Sequence, residues 1–474
     1  MPWRDYKSYL LPLIILLAVT VPNLEQGDFN RDTGRYAAVG LYMYDGGNLL
    51  VPYMDPETPD FNKPPLGYII HGLFLKVFGA NLVVARIPSI LAALAVVLLS
   101  MLSVRQIGSR AEAVVSGVVL ALSYEFFRRT REISLDFWQL VFVMAAVYLV
   151  LCAAKERRPW KLVLAGAFIG LALLCKPLVA LGTIPIFAVW LVISRRSALL
   201  PCLFGGTLPL ALLVAAPWHI YMYHKFGRDF TAFYFGDQVL DRALGLQLTK
   251  PFYYYFKLIV QTYWPWLIGL ALAFYYRRRN DVSRREKHRD IFLFAGSWVL
   301  VILLQISFFP DKKPNYALPI YPMLSWMVAW GLCRVNWLKL RDWYRKDFPW
   351  LKTSFATLGI VLSVAPIQFQ PGADPNWKTV LNWLDARQVA PDHVAYYGLS
   401  ADDVCYYYVR TGRWPQDIQK LYAKRSIPAA DYYVVTMAMV AEINRDLAQV
   451  QILKAGRLAI LPGNAKFQVH HTTP

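Results

Sequence analysis

Long apolar runs separated by short basic loops set the pattern of this 474-residue chain. A bilayer core takes roughly 20 apolar residues as helix, and clear runs of that kind lie near residues 84–104, 133–153, 198–216, 291–309 and 350–366. Weaker runs near 8–23, 111–127, 160–174, 178–193, 257–276 and 317–333 bring the predicted total to about eleven spans. Two amphipathic stretches, Thr33–Tyr44 and Pro64–Phe78, are too short and mixed to span and are predicted to be interfacial helices. After about residue 367 the pattern becomes that of a globular domain. Pro375–Arg387 reads as a helix, and His393–Tyr397 and Tyr432–Met437 read as short buried strands. Helices at Asp402–Arg410 and Met439–Val450 and a strand pair near Val450–Leu461 complete it. The predicted fold is mainly α: a polytopic transmembrane helical bundle over residues 1–366, with interfacial helices, and a small soluble α/β domain over 367–474.

Composition supports the membrane reading. Only 17% of residues are charged and 57% are hydrophobic, whereas a soluble domain carries about 25% charged residues to cover its surface. The formal net charge of +19 points to nucleic acid only if it is spread over a soluble face. It is not: from Gln370 onward eleven Lys/Arg face nine Asp/Glu, so the excess sits in the short loops. Lys155-Glu156-Arg157-Arg158, Arg195-Arg196, Arg277-Arg278-Arg279 through Arg289, and Arg334 to Lys352 follow alternate spans. The positive-inside rule makes these loops and the N-terminus cytoplasmic and the C-terminal domain external. The first run has Arg4 and Lys7 before it and no small-x-small cleavage site, so it reads as a retained span. Four of the five cysteines fall in or at the ends of apolar runs, Cys405 stands alone in the tail, and no CxxC occurs; they read as packing residues.

Charge that topology does not explain collects in four external loops. Asp28, Arg31, Asp32, Arg35 and Lys63 crowd the first, and ionisable groups at membrane level are costly unless paired or functional. The second runs from Arg128 to Asp136 and carries three arginines on the disfavoured side. Arginine suits phosphate, and Asp136 enters the next span, where one of these arginines is its expected partner. The third is Cys175-Lys176-Pro177, which breaks a long apolar run and leaves Lys176 at the external surface. The fourth, Pro310 to Pro319, brings Lys312 and Lys313. Convergence of cations from four loops points to a site for an anionic amphiphile. Broken spans with ionisable residues also suit a transporter, but transporter sites lie near the midplane, and these clusters lie at one boundary.

Taken in order, these motifs resemble the GT-C glycosyltransferase superfamily, in the branch of lipid A aminoarabinose transferases and protein O-mannosyltransferases. The resemblance is carried by Asp32-Thr33-Gly34-Arg35-Tyr36-Ala37, Asp60-Phe61-Asn62-Lys63-Pro64-Pro65-Leu66, Phe78-Gly79-Ala80-Asn81, Ala85-Arg86-Ile87-Pro88 and Arg131 to Asp136. It continues through Lys176, Ala216-Pro217-Trp218-His219, Phe235-Gly236-Asp237-Gln238 with Arg242, and Lys312 through Pro319. Single motifs of this size are weak, but this many in register over residues 10–330 are strong. The resemblance implies transfer of a sugar from a polyprenyl-phosphate donor, at the outer face of a bacterial inner membrane, with inversion at the anomeric carbon. It implies Asp32 and Asp136 as catalytic carboxylates, and Lys63, Lys176 and Arg131 as ligands of the donor phosphate. Arg35, Tyr36, Asp237, Lys312 and Tyr316 are implied to line the substrate site. The implied partners are the polyprenyl-phosphate-sugar donor, a lipid A or other envelope glycolipid acceptor and membrane lipids.

One departure separates the chain from the aminoarabinose subgroup. Two positions that can bind metal there hold Asn62 and Gln238 here, which are poor ligands. No metal and no cofactor are expected, and the acceptor or donor is expected to differ. Protein O-mannosylation is the alternative within the enzyme class.

Overall fold

The computed structural model describes residues 7–22, 24, 31–46, 48–55, 58–241, 250–279, 289–309 and 312–335, and in the C-terminal region 375–390, 393–397, 408–409, 416–417, 431–436, 453–455 and 458–462. Contacts divide the chain into two units: Met1–Leu24, Phe61–Gly67 and Arg86–Phe369 form one, and Glu25–Asp60, Tyr68–Ala85 and Gln370–Pro474 form the other.

The first unit is helical. It contains α1 (Lys7–Thr20), most of α4 (Leu82–Ile107), α5 (Arg110–Ala121), the short α6 (Tyr124–Arg129), α7 (Leu135–Glu156), α8 (Pro159–Leu173) and α9 (Pro177–Ile193). It continues with α10 (Leu208–Thr231), α11 (Tyr254–Arg279), α12 (Arg289–Phe308) and α13 (Tyr321–Leu332). The helix starts follow local chemistry. Pro159 and Pro177 stand in the first turns of α8 and α9, where a missing N–H costs nothing. Ser109 and Glu112 close a reciprocal capping box on α5. Packing runs α7 on α8, α8 on α10, α5 on both α1 and α13, α11 on α13, and α12 on α9 and α13. At the α11–α13 crossing a side chain on Gly331 would meet the Gly269 carbonyl oxygen at 2.6 Å, the close approach that small residues give membrane helices. Two buried indoles are anchored: Trp298 donates to the Pro319 carbonyl at 3.0 Å and Trp326 to the Ser100 hydroxyl at 2.7 Å.

Among the described residues five helices are long and apolar enough to cross a membrane: α4, α7, the run Ser197–Gly236 that contains α10, and the bulk of α11 and α12. Lys7–Thr20, Leu66–Phe78, Pro159–Leu173 and Val179–Ile193 are shorter apolar helices. The chain is therefore a mainly helical polytopic membrane protein. The apolar run near 198–216 predicts too early an end, because helix continues through His219, His224 and Lys225 to a kink at Gly227 (φ 53°) and a π-helical segment, Ala232–Asp241. Hydropathy fades there, but the helical backbone does not. The span near 350–366 lies outside the described residues, as do the helices at Asp402–Arg410 and Met439–Val450 apart from helical residues 408–409.

The second unit holds α2 (Arg31–Asp45), the antiparallel pair β1 (Tyr53–Asp55) and β2 (Thr58–Pro59), and α3 (Leu66–Phe78) from Tyr68 on. Both helices match the expected amphipathic stretches. α3 starts two residues late, after Pro64 and Pro65, since a proline disfavours helix for the residue before it. α2 and α3 touch at Gly40 and Gly72, where any side chain on Gly72 would run into the Gly40 carbonyl. The C-terminal region forms a five-stranded sheet in the order β4 (Gln416–Asp417), β3 (Val394–Tyr397), β5 (Tyr432–Thr436), β7 (Leu458–Pro462), β6 (Leu453–Ala455). β3 runs parallel to β4 and β5, and β7 antiparallel to β5 and β6. α14 (Pro375–Ala386) packs on β6 and β7. Tyr408 ties this region to α2, its hydroxyl donating to Asp45 at 2.6 Å and its ring meeting Tyr42 edge-on.

Candidate active site

The N-terminal end of α7 is the centre of the site in the helical unit. Lys176, at the α8–α9 junction, places its ammonium 2.7 Å from Asp136 Oδ1. Asn315 Nδ2 donates to Asp136 Oδ2 at 3.1 Å, and the Gln139 amide donates to the Lys176 carbonyl. Asp136 and Gln139 lie three residues apart on one face of α7, so one turn of helix grips both ends of Lys176. Ser89 receives the Ser134 N–H at 3.0 Å and fixes where α7 begins.

This pairing corrects one sequence expectation. The partner of Asp136 is a lysine forty residues on, not a neighbouring arginine. Arg128 and Arg129 instead form a closed network with Glu125 and Glu132, four contacts of 3.1–3.2 Å. Their spacings of three and four residues favour local pairing. Arg131 donates from Nε to the Thr20 carbonyl at 3.0 Å and also to the Pro22 carbonyl, holding the end of α1. Burial keeps its pKa below the usual guanidinium range.

The loop that carries Lys63 is pinned to the same corner. Leu66 N–H donates to the Leu174 carbonyl at 3.1 Å, two residues before Lys176. Gly67 lies against Leu135, where an added methyl would come within 2.8 Å of Leu135 Cδ2. Phe61 packs edge-on to Phe226 and Phe230 at ring separations of 5.1 and 5.7 Å, and Lys63 Nζ donates to the Asn62 carbonyl at 2.8 Å. Nearby on α10, His219 sits 3.1 Å from the Tyr234 hydroxyl and 2.9 Å from the Ala215 carbonyl. The motif residues Trp218 and Phe235 join this aromatic cluster.

Lys312 turns inward. It is fully buried, and its ammonium donates to the Phe309 carbonyl at 2.7 Å, just past α12; lysine caps exposed carbonyls well at a helix C-terminus. Burial lowers its pKa. Tyr316 lies one residue from Asn315 in the 3₁₀ helix Pro314–Ile320, with its ring edge-on to Phe309. Asp237 belongs by backbone to the π-helical segment, but its side chain and that of Gln238 lie outside the described residues.

In the other unit, Arg35 pairs with the buried Asp60 at 2.7 Å, and the Tyr68 hydroxyl donates to the same carboxylate at 2.9 Å. Burial, with Asp60 beside it, pushes the Tyr68 hydroxyl well up, so it stays a donor. Tyr36 packs edge-on to Tyr68 at 5.8 Å. Asp32 lies in the first turn of α2, three residues before Arg35, and its side chain is outside the described residues. Sequence reasoning gave no role to Gln139, Asn315 or Asp60. The last two sit inside quoted motifs, whereas Gln139 was legible only as the next position on the Asp136 face of α7.

Residues 62–221 match the family described as dolichyl-phosphate-mannose-protein mannosyltransferase. The undecaprenyl phosphate-alpha-4-amino-4-deoxy-L-arabinose arabinosyl transferase of Erwinia tasmaniensis is 29% identical over 342 residues, 68% of this chain and 59% of that protein. A second transferase of that name, from Pseudomonas fluorescens, is 27% identical over 69% of this chain and 60% of its own length. The chain thus spans less than two thirds of these relatives. In structure it superposes on ArnT from Cupriavidus metallidurans bound to undecaprenyl phosphate with a TM-score of 0.74 and 17% identity, covering 97% of this chain and 98% of the other. The archaeal oligosaccharyltransferase AglB from Archaeoglobus fulgidus superposes at 0.56 with 12% identity, over 94% of this chain and 71% of that one. The chain has the fold of the GT-C polyprenyl-phosphate-sugar transferases and resembles, among them, the branch of ArnT and the protein mannosyltransferases.

Proposed function

We propose that this protein is a glycosyltransferase that moves a sugar from a polyprenyl-phosphate-linked donor to a lipid A or lipopolysaccharide-type acceptor, at the outer face of the bacterial inner membrane. The observation that carries this reading is the convergence of the Lys63 loop and Lys176 on the corner beside Asp136. An acceptor oxygen attacks the anomeric carbon from the face opposite the phosphate, the bond from that carbon to the phosphate oxygen breaks, and polyprenyl phosphate departs with the electron pair. The leaving phosphate gains charge as this happens, so fixed ammonium groups stabilise the transition state more than the bound donor. Lys63 and Lys176 take that role, with Arg131 adding positive charge from the turn before α7. Asp136 aims Lys176. Asp32 accepts the acceptor's proton, or orients an acceptor that is itself a phosphate. Arg35, Tyr36, Asp237, Lys312 and Tyr316 shape the substrate cavity, Lys312 through the backbone turn it holds.

The topology that goes with this reading has about eleven spans, the N-terminus in the cytoplasm, a catalytic domain over 1–366 and a periplasmic domain over 367–474. A phosphatase reporter fused at Gly372 should be active and one at Val282 inactive; the reverse would put the site on the wrong face. The family match over 62–221 favours a second acceptor class, secreted protein. Mass spectrometry of lipid A and of secreted glycoproteins, with the gene present, deleted or carrying Asp32→Asn, separates the two. A sugar lost from lipid A on deletion supports the first reading, and one lost only from protein supports the second. If Asp32 is a general base, Asp32→Asn should cut transfer by about 10²–10⁴-fold. Unchanged glycosylation of both pools on deletion would sink both readings.

A further inference from the structure

The opposite end of α7 carries a second site that the transfer reaction does not use. A cavity of 450 Å³ opens among the last turns of α4 and α7, the α4–α5 turn, the end of α9 and the start of α12. Its lining residues on α7, Leu151 to Lys155, lie roughly 22–28 Å along the helix from Asp136. Its volume falls within the range of small-ligand sites, about 300–1,000 Å³.

Three cations line it, Arg105, Lys155 and Arg196, against one carboxylate, Asp290. Arg196 engages that carboxylate bidentately, at 2.7 and 3.1 Å. Among the described residues Arg105 and Lys155 reach only neutral oxygens, the Gly108 carbonyl at 3.3 Å and the Gln106 amide at 3.5 Å, which are long contacts. Trp190 also lines the cavity. It is fully buried, and its indole Nε1 has no hydrogen-bond partner among the described residues. A buried donor without an acceptor is uncommon and calls for an explanation such as a ligand. Two cations held by weak neutral contacts and an orphan N–H together ask for an anion rich in acceptor oxygens. Beside Trp190, Val189 and Val192 expose their side chains on α9, so the cavity mouth adjoins an apolar surface suited to acyl chains.

We propose that this cavity binds the phosphate-ester headgroup of an anionic membrane lipid, with Arg105 and Lys155 on the phosphate and the Trp190 indole donating to one of its oxygens. Basic pockets between spans recognise anionic headgroups in this way. The inference is independent of which sugar or acceptor the protein uses.

The test is native mass spectrometry of the purified full chain in detergent, titrated with phosphatidylglycerol, phosphatidylcholine or inorganic phosphate. The wild-type protein should retain phosphatidylglycerol well above the other two. Arg105→Gln with Lys155→Gln should weaken phosphatidylglycerol about thirtyfold, a factor of about five for each basic side chain, and leave phosphatidylcholine unchanged. Trp190→Phe keeps the packing, removes the N–H and should weaken phosphatidylglycerol several-fold, so it tests the site even where the double variant does not fold. Equal retention of the two lipids, or wild-type phosphatidylglycerol binding in either folded variant, overturns the proposal. Inorganic phosphate binding as tightly as phosphatidylglycerol overturns the lipid as the source.

Discussion

At the α7 N-terminus Lys176 reaches Asp136 at 2.7 Å, and toward the other end of the bundle Arg334 reaches Glu112 at 2.8 Å. Both pairs are largely buried, yet their surroundings differ. Glu112 spends its second oxygen on the Ser109 N–H at 2.6 Å, closing the cap of α5. Arg334 donates again to the Trp330 carbonyl at 2.6 Å and lies 3.6 Å from the Trp330 ring centre. Both oxygens of Glu112 and both N–H groups on Nη1 of Arg334 are thus engaged, and the pair fastens α13 to the start of α5. Asp136 is held on its second oxygen as well, by Asn315. An ammonium has three N–H groups, and among the described residues Lys176 directs one to Asp136. Two remain for a substrate oxygen. Buried pairs are weak evidence for stability, and since the Arg334 guanidinium also has N–H groups to spare, place is what separates the two: Lys176 stands at the corner where the Lys63 loop is pinned, and Arg334 closes on the cap of a helix.

The largest effect that could break this contrast is on transfer. Lys176→Met should cut the rate per folded protein by about 10²–10³-fold, the scale of losing one fixed charge from a transition state. It also strands Asp136, so stability should fall too. Adding Asp136→Asn removes the stranded charge and should restore thermal stability in detergent, but not transfer. A double variant that regained activity would show the pair to be a fastener after all.

Next in size is the reciprocal experiment. Arg334→Met strands Glu112 and should cost about 3–5 kcal/mol of stability, read as a lower melting temperature in detergent. Transfer per folded molecule should stay within about twofold of wild type. A fall like that of Lys176→Met would remove the distinction between the two ends.

How far the sequence foretold this contrast depends on the range of each interaction. The spans were legible where apolar runs are unbroken, so 84–104 became Leu82–Ile107 and 133–153 became Leu135–Glu156. The two shorter helices α2 and α3 were legible from their amphipathic spacing. The Arg128, Arg129, Glu125 and Glu132 network was also open to reading, since its partners stand three and four residues apart. The expected Arg–Asp136 pair failed because Arg128 and Arg129 had nearer carboxylates and Arg131 turns to the carbonyls at the end of α1. The Asp136–Lys176–Asn315 set joins α7, the α8–α9 turn and the 3₁₀ helix after α12, and no periodicity in one segment reports on such contacts. Lys312 was read as an external cation because hydropathy registers its charge and not the open Phe309 carbonyl it caps.

The smallest effects sharpen the comparison most, because each removes one neutral hydrogen-bonding side chain beside a carboxylate and leaves both ion pairs in place. Ser109→Ala takes away the hydroxyl that accepts the Glu112 N–H at 3.2 Å and should cost about 1 kcal/mol, the usual worth of an N-cap. Asn315→Ala takes away the 3.1 Å donor to Asp136 and should cost about 1–2 kcal/mol, since a hydrogen bond to a charged group is worth somewhat more than a neutral one. In melting temperature the two variants should therefore look alike. In transfer they should part. With Asn315 gone, the Ser134 hydroxyl at 3.5 Å is the remaining side-chain donor near that oxygen among the described residues, so the carboxylate leans harder on Lys176 and draws the ammonium away from the donor phosphate. Transfer by Asn315→Ala should drop about tenfold, the kinetic equivalent of that one bond, and Ser109→Ala should keep wild-type transfer per folded protein. Equal transfer in the two variants would mean that the Asp136 carboxylate holds Lys176 no more purposefully than Glu112 holds Arg334.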